Sequence, residues 1–367
     1  MSEQLQAELF FDVRVHDHFA RSSAIDRLRR YLESLIADRF PPSVSLAVVG
    51  PDGVSLAAYG GYACLVGDLV PTTSETRYDL ASLTKVVCTV TLTLLASQRE
   101  ALHLDDPVVR WLPAYPRERT TLRHLLTHTA GLVDHRPFYA NRRGREQIEP
   151  AVYEEAKVAV PGSPVLYSDL GYMLLGWALE ACLGQDLDNA FASLVAAPLA
   201  LAATRFCPPA GEQRMTAATE LNGDQRGRPG LVWGEVHDGN AFALGGVAGH
   251  AGLFAPLDDL ARFVEALLDP GRGDVLSAGS VSLMSTQQTP DGVDVRGLGW
   301  RLQPLEWGGW PQGTIWHTGF TGTSLLVAPG RRTGVVLLTN SVHPSRRLQE
   351  QAAVRTEVHR LILEALG

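Results

Sequence analysis

The chain has 367 residues, enough at roughly 100–200 residues per domain for two domains or one large domain with an insertion. Hydrophobic residues at 45% and charged residues at 20% exclude a mainly disordered chain. Lys and Arg total 32 against 40 Asp and Glu, a net charge of −8 with no strong basic run, so neither nucleic acid nor a membrane surface is expected as a partner.

Met1 to Ala20 scatters Glu3, Glu8, Asp12, Arg14 and Asp17 among apolar positions and shows no apolar core behind a basic start. No secretory signal is read there, and residues 1–19 are taken as an N-terminal extension. Ile25, Leu28, Leu32, Leu35 and Ile36 recur at helical spacing and predict an amphipathic helix over Ile25 to Arg39. Val44 to Val49 and Val54 to Tyr59, flanking Gly50-Pro51-Asp52-Gly53, predict an antiparallel hairpin. The longest apolar stretch, Val86 to Ala96, is interrupted by threonines and too short to span a membrane. Further on, Thr121 caps a helix ending near Gly131, and Ser168 or Asp169 caps one that stops at Gly184. A third helix starts at Asp258 and carries Leu260, Phe263, Val264, Leu267 and Leu268 on one face before Pro270. Strand character returns at Leu298 to Leu305, Thr314 to His317, Thr323 to Val327 and Gly334 to Thr339, and Leu348 to Leu366 closes with helical spacing. Strands at both ends around a helical middle predict an α/β (α+β) fold. An antiparallel sheet flanked by helices would come from residues 20–80 and 270–367, with a mostly helical domain, residues 81–269, inserted.

Ser82-Leu83-Thr84-Lys85 is an S-x-x-K tetrad. On the first turn of a helix, positions i and i+3 share a face, which brings the Lys85 amine to the Ser82 hydroxyl. A serine hydroxyl is a weak nucleophile until a base takes its proton, and an amine does so only when burial or other cations lower its pKa. The tetrad alone carries little weight, and Val86, Val87, Thr89, Val90, Thr91 and Thr93 have the propensity of a strand. Two later motifs justify reading a helix instead. Tyr167-Ser168-Asp169 precedes a capped helix, and His317-Thr318-Gly319 ends a strand before Phe320-Thr321-Gly322.

With these three motifs in order, the chain resembles the serine β-lactamase and penicillin-binding protein superfamily, in the branch of class C β-lactamases, DD-carboxypeptidases and related esterases. The resemblance extends over Leu104 to Val108, His124 to Leu132 and Gly297 to Trp300, and Val236 to Asn240 with Gly245 to Phe254 is most similar to penicillin-binding protein 4B-like members. It implies Ser82 as the acylated nucleophile, Lys85 as its base or base partner, and Tyr167 as the proton shuttle. It further implies an oxyanion hole from the N–H groups of Ser82 and Phe320, substrate contacts from His317, Thr318 and Gly319, and no cofactor. Two residues depart from the family pattern. Asp169 stands where the second motif usually has asparagine, and an ionised carboxylate there would either repel acidic substrates or pair with Lys85. His317 replaces a lysine, removing a permanent cation that would hold a substrate carboxylate. Both departures shift the expectation from lactamase towards esterase or amidase.

Other residues have plainer readings. His124 and His128 share i, i+4 spacing but lack the glutamate of H-E-x-x-H, so helix packing is the default and no metal is expected. His250, between Gly249 and Gly252, is as well read as structural as functional. Trp300, Trp307, Trp310 and Trp316 should pack a sheet face, with one or two available to wall an acyl pocket. Gly245-Gly246 and Gly308-Gly309 lack the spacing of phosphate loops. Cys64, Cys88, Cys182 and Cys207 are too scattered for a disulfide framework or zinc site and are expected as buried free thiols, which, with the missing signal, favours the cytoplasm. The expected function is a serine hydrolase acting on a small ester, amide or β-lactam. The alternative is a binding module of the same fold that acylates without turnover.

Overall fold

The computed structural model describes residues 8–13, 23–50, 52–155, 158–162, 164–221, 229–290, 292, 294–303 and 305–367. The N-terminal part supplies β1 (Phe10–Val13), α1 (Ser23–Ala37), β2 (Ser43–Gly50), β3 (Gly53–Cys64), β4 (Val70–Pro71) and β5 (Tyr78–Asp79). The middle is helical, with α2 (Thr91–Gln98), α3 (Leu122–Leu126), α4 (Arg145–Glu154), α5 (Asp169–Leu183) and α6 (Leu187–Phe191), then β6 (Arg205–Phe206), α7 (Gly239–Ala243) and β7 (Leu253–Ala255). α8 (Leu257–Leu268), α9 (Ala278–Ser285), β8 (Arg301–Leu302), β9 (Ile315–Thr318), β10 (Ser324–Ala328), β11 (Thr333–Thr339) and α10 (Leu348–Leu366) complete the chain.

Both ends of the chain build the main sheet, in the order β1-β3-β2-β11-β10-β9-β8 with every neighbouring pair antiparallel and β4 added to the end of β3. The hairpin pairs as expected, Val44 opposite Gly60 and Gly50 opposite Gly53, although Pro51 of its turn lies outside the described residues. β1 falls in the stretch read as a leading extension, yet it pairs with β3 from Phe10 opposite Tyr59 to Val13 opposite Leu56. The remainder of that stretch, residues 1–7 and 14–19, lies outside the described residues.

The period-two alternation of strand side chains gives the sheet two buried faces. Val335 and Leu337 of β11 join a core with Leu46, Val48, Trp316, α1 and α10, while Val336 and Leu338 join a second with Ala47, Val49, α8 and the helical middle. α1 buries Ala24, Ile25, Leu28, Leu32, Leu35 and Ile36 on its single apolar stripe, at about 1.5–3 kcal/mol for each large side chain. α8 lies directly on β11, where a Cβ at Gly334 would meet Val264 Cγ1 at 2.2 Å.

Several expected boundaries differ. α3 stops at Leu126 rather than near Gly131, because His128 adopts φ +57°, which no helix accommodates. The strand expected over Leu298 to Leu305 shrinks to Arg301–Leu302, since Gly299 turns at φ +78° and sends Leu298 and Trp300 into the core. All four tryptophans named above are buried; Trp300 packs under the helical middle and the other three under α1 and α10, so none walls an acyl pocket. The cysteines are free, but only Cys64 and Cys88 are buried and Cys207 is exposed. Among the described residues no helix is long and apolar enough to cross a membrane.

Candidate active site

The first motif follows β5. Asp79, buried, accepts the N–H of Ala81 on one carboxylate oxygen and that of His237 on the other. These bonds hold Ala81 at φ +47°, uncommon for a residue with a Cβ, in the turn that presents Ser82. Leu83, Thr84 and Lys85 then donate to the carbonyls three residues back, and a π-helical turn, Lys85–Val90, leads into α2. The buried threonine hydroxyls of this β-branched run are all satisfied inside the core: Thr91 bonds the Val86 carbonyl, Thr93 that of Thr89, and Thr89 that of Gly249.

Lys85 is completely buried. Its Nζ lies 2.9 Å from Ser82 Oγ, 3.0 Å from the His250 carbonyl and 2.8 Å from Asp169 Oδ1. Burial by itself would lower the pKa of this amine, but Asp169 and Tyr167 outweigh it and hold Lys85 above the ordinary lysine value. Conversely, Asp169 is held well below the usual carboxylate range: burial opposes this, and the Lys85 charge and His135 overcome it. Of the two fates open to Asp169 in the sequence, pairing with Lys85 is the one seen.

Tyr167 immediately precedes α5, whose N-cap is Ser168, accepting from the Gly171 N–H, and whose end is Gly184 in the left-handed conformation. His128 braces this entry. Its ring lies between Tyr167 and Tyr172, centroids 4.4 and 5.0 Å away, and its Nδ1 accepts the Ser168 N–H. Nδ1 being an acceptor, His128 is the neutral tautomer with its proton on Nε2, and burial together with the Arg296 and Lys85 charges pushes its pKa well down.

The third motif closes the cleft from β9. Gly319 sits where only a glycine fits: a Cβ would fall 2.1 Å from Thr323 Oγ1 and 2.3 Å from the Leu80 carbonyl. This contact locks the β9–β10 turn to the nucleophile turn, helped by Thr321 and Thr323 hydroxyls donating to the Asp79 and Leu80 carbonyls. The N–H groups of Ser82 and Phe320 donate to nothing among the described residues. His317 is buried and its Nδ1–H donates to the Thr318 carbonyl at 3.0 Å; burial, then the Arg296 and Lys85 charges, keeps it neutral. Phe320 is exposed at the mouth between His237 and Arg346.

The structure therefore brings Ser82, Lys85, Tyr167, Asp169, His317, Thr318, Gly319 and Phe320 together around one site. It adds residues the sequence reading missed. Arg296, buried, reaches over the Tyr167 ring at 5.4 Å, bonds Asp294 through Nε and Nη2, and leaves Nη1 unpaired. Its sole sequence signal is its place directly before Gly297 to Trp300. His124 instead completes the capping box of α3 with Thr121, and no His, Cys, Asp and Glu cluster suited to a metal occurs among the described residues. His250 contributes its backbone carbonyl to Lys85 while its ring bonds Asp238 at 2.9 Å.

The Beta-lactamase family model matches residues 28–360. A protein of Escherichia coli K12 named "Putative D-alanyl-D-alanine carboxypeptidase" is 33% identical over 350 residues, spanning 82% of this chain and 79% of that protein. In fold, the chain is similar to a class C beta-lactamase, with TM-score 0.74, 20% identity and coverage of 95% and 98% of the two chains. It is also similar to the octameric penicillin-binding protein homologue from Pyrococcus abyssi, with TM-score 0.71, 22% identity and coverage of 90% and 76%.

Proposed function

The chain belongs to the beta-lactamase family of serine hydrolases, and we propose that it forms an acyl-enzyme at Ser82 and hydrolyses it, with a peptide amide beside a free carboxylate as the preferred substrate. The observation that carries this reading is the set of partners around Lys85 Nζ. In the resting ion pair Lys85 Nζ donates to Ser82 Oγ, the His250 carbonyl and Asp169. Once the ammonium gives up a proton, the carbonyl and carboxylate, which only accept, keep its two N–H groups and its lone pair faces the Ser82 hydroxyl. Lys85 then takes the Ser82 proton as Oγ attacks the acyl carbon. The oxyanion is received by the free N–H groups of Ser82 and Phe320, which act on charge that develops only in the transition state. As the C–N bond breaks, Tyr167 gives its proton to the leaving amine and regains one from Lys85. Water then adds to the ester, giving a proton to Tyr167 and Lys85, which return it to Ser82 Oγ as the ester C–O bond breaks.

Arg296 supports the carboxylate preference. Where His317 forgoes a cation, the Arg296 guanidinium supplies one, with Nη1 unpaired. Thr318 and Gly319 would line the same subsite. The name of the Escherichia coli relative agrees with this substrate class. Esters and β-lactams present the same carbonyl to the same steps and are expected as weaker substrates.

The Lys85–Asp169 ion pair favours a second reading, a module that acylates slowly and does not turn over, because it keeps Lys85 protonated. Intact-protein mass spectrometry after a fluorophosphonate and, separately, a penicillin tests both. An adduct lost in Ser82→Ala places the nucleophile, whereas no adduct in the wild type refutes it. One equivalent of product with no steady state supports the module, and continuous turnover eliminates it.

A further inference from the structure

We propose that Arg355, on α10, is a positioning residue for the oxyanion hole, fixing and polarising the single peptide unit between Gly319 and Phe320. The inference rests on reading Ser82 as the nucleophile. The Gly319 carbonyl and the Phe320 N–H belong to the same planar amide, and in a trans peptide they point to opposite sides. Arg355 Nη2 donates to the Gly319 carbonyl, so the Phe320 N–H is turned away from α10. The same Nη2 also bonds the Thr323 carbonyl at 3.2 Å, and Thr323 in turn accepts the Gly319 N–H at 2.8 Å. The Gly322 N–H adds a second bond to the Gly319 carbonyl at 3.1 Å, and Gln351, one turn earlier on α10, donates to the Phe320 carbonyl at 2.9 Å.

Withdrawing electron density at a carbonyl strengthens the N–H of its amide as a donor. Arg355 is suited to this because no carboxylate among the described residues pairs with it; burial pushes its pKa down to about 10, and it remains charged at neutral pH. An unpaired guanidinium behind the peptide costs stability that two carbonyl bonds only partly offset. That cost is accounted for if its charge acts on the oxyanion in front.

Arg355→Met, which keeps the aliphatic stem, and Arg355→Lys, which keeps the charge, test the inference. Reaction rates with a fluorophosphonate and inhibition by phenylboronic acid both require a tetrahedral adduct whose oxygen occupies the oxyanion hole. The Met variant, with an unchanged thermal midpoint, should react about 10- to 100-fold more slowly, less than the full loss of an oxyanion donor. Boronate affinity should fall in parallel, the Lys variant should recover part of both, and saturation by the fluorophosphonate should keep its half-maximal concentration. Equal rates in wild type and the Met variant overturn the inference alone. So does a loss confined to the half-maximal concentration, or one with boronate affinity intact. If the Met variant does not fold, the Lys variant decides, since it must fall between wild type and zero in both readouts. A wild type inert to fluorophosphonate overturns the Ser82 reading and this inference with it.

Discussion

Replacing Asp169 with asparagine keeps the shape of the side chain and removes its charge. Asp169 Oδ1 stands 2.8 Å from Lys85 Nζ. At that distance the attraction is about 1.5 kcal/mol with the dielectric constant of water and about 6 kcal/mol at an effective value of 20. A buried ammonium deprived of this partner sheds its proton rather than remain charged. Asp169 raises the Lys85 pKa, so its loss lowers it, and the free-base form becomes available at lower pH. The expected outcome for Asp169→Asn is an acid limb of kcat/KM moved about one pH unit or more towards acid, with a faster reaction near neutrality. The assay is a pH series of acyl-enzyme formation with a chromogenic ester, scored beside Ser82→Ala. A limb that stays in place, or moves to higher pH, in a variant that still labels with fluorophosphonate would refute the role given to Lys85.

Arg296→Gln should cost about 10- to 100-fold in kcat/KM on a peptide with a free C-terminal carboxylate and little on its methyl ester, measured side by side. Gly319→Ala would place a methyl group against the Leu80 carbonyl and Thr323 Oγ1; a loss of about 1–3 kcal/mol and of fluorophosphonate labelling is expected, read by melting and mass spectrometry. His359, stacked on Trp307 and bonded to Ser324, is pushed down to about 3 by burial and Arg355. Its folded pKa lies below the ordinary 6.5, so the unfolded chain binds the proton more readily. Stability should therefore fall by about 1.4 kcal/mol per pH unit as pH drops below about 6.5, and His359→Gln should flatten that slope in urea titrations at pH 7 and pH 5.

Much of this was legible because local signals and tertiary demands coincide. α1, the β2–β3 hairpin and α10 each carry their own periodicity, α5 has its caps besides, and the motif residues arrive in the order in which the site assembles them. The Lys85–Val90 turn ran against its propensity, and only the motifs around it revealed it, because the core that buries Val86, Val87, Cys88 and Val90 is assembled by distant elements and is not written in a propensity scale. Arg296 and Arg355 were illegible for another reason. An arginine acts wherever its long stem reaches, and neither stands in a pattern whose spacing fixes a partner. Asp169 lay between: its identity raised the right question, and the distance to Lys85 answered it.

The order of strands also sets a schedule for synthesis. β2 lies between β3 and β11, so the edge that will receive β11 waits without its partner from the emergence of Gly50 until that of Thr333. At ribosomal speeds of about 5–20 residues per second, the wait is roughly 15–60 s. Throughout it, the Val44 to Val49 segment presents open hydrogen-bonding groups and apolar side chains, the features that recruit other strands. Nascent chains held on one messenger would offer each other the same edge. Yield in a heterologous host should accordingly depend on translation rate and holdase supply more than on the stability of the finished fold.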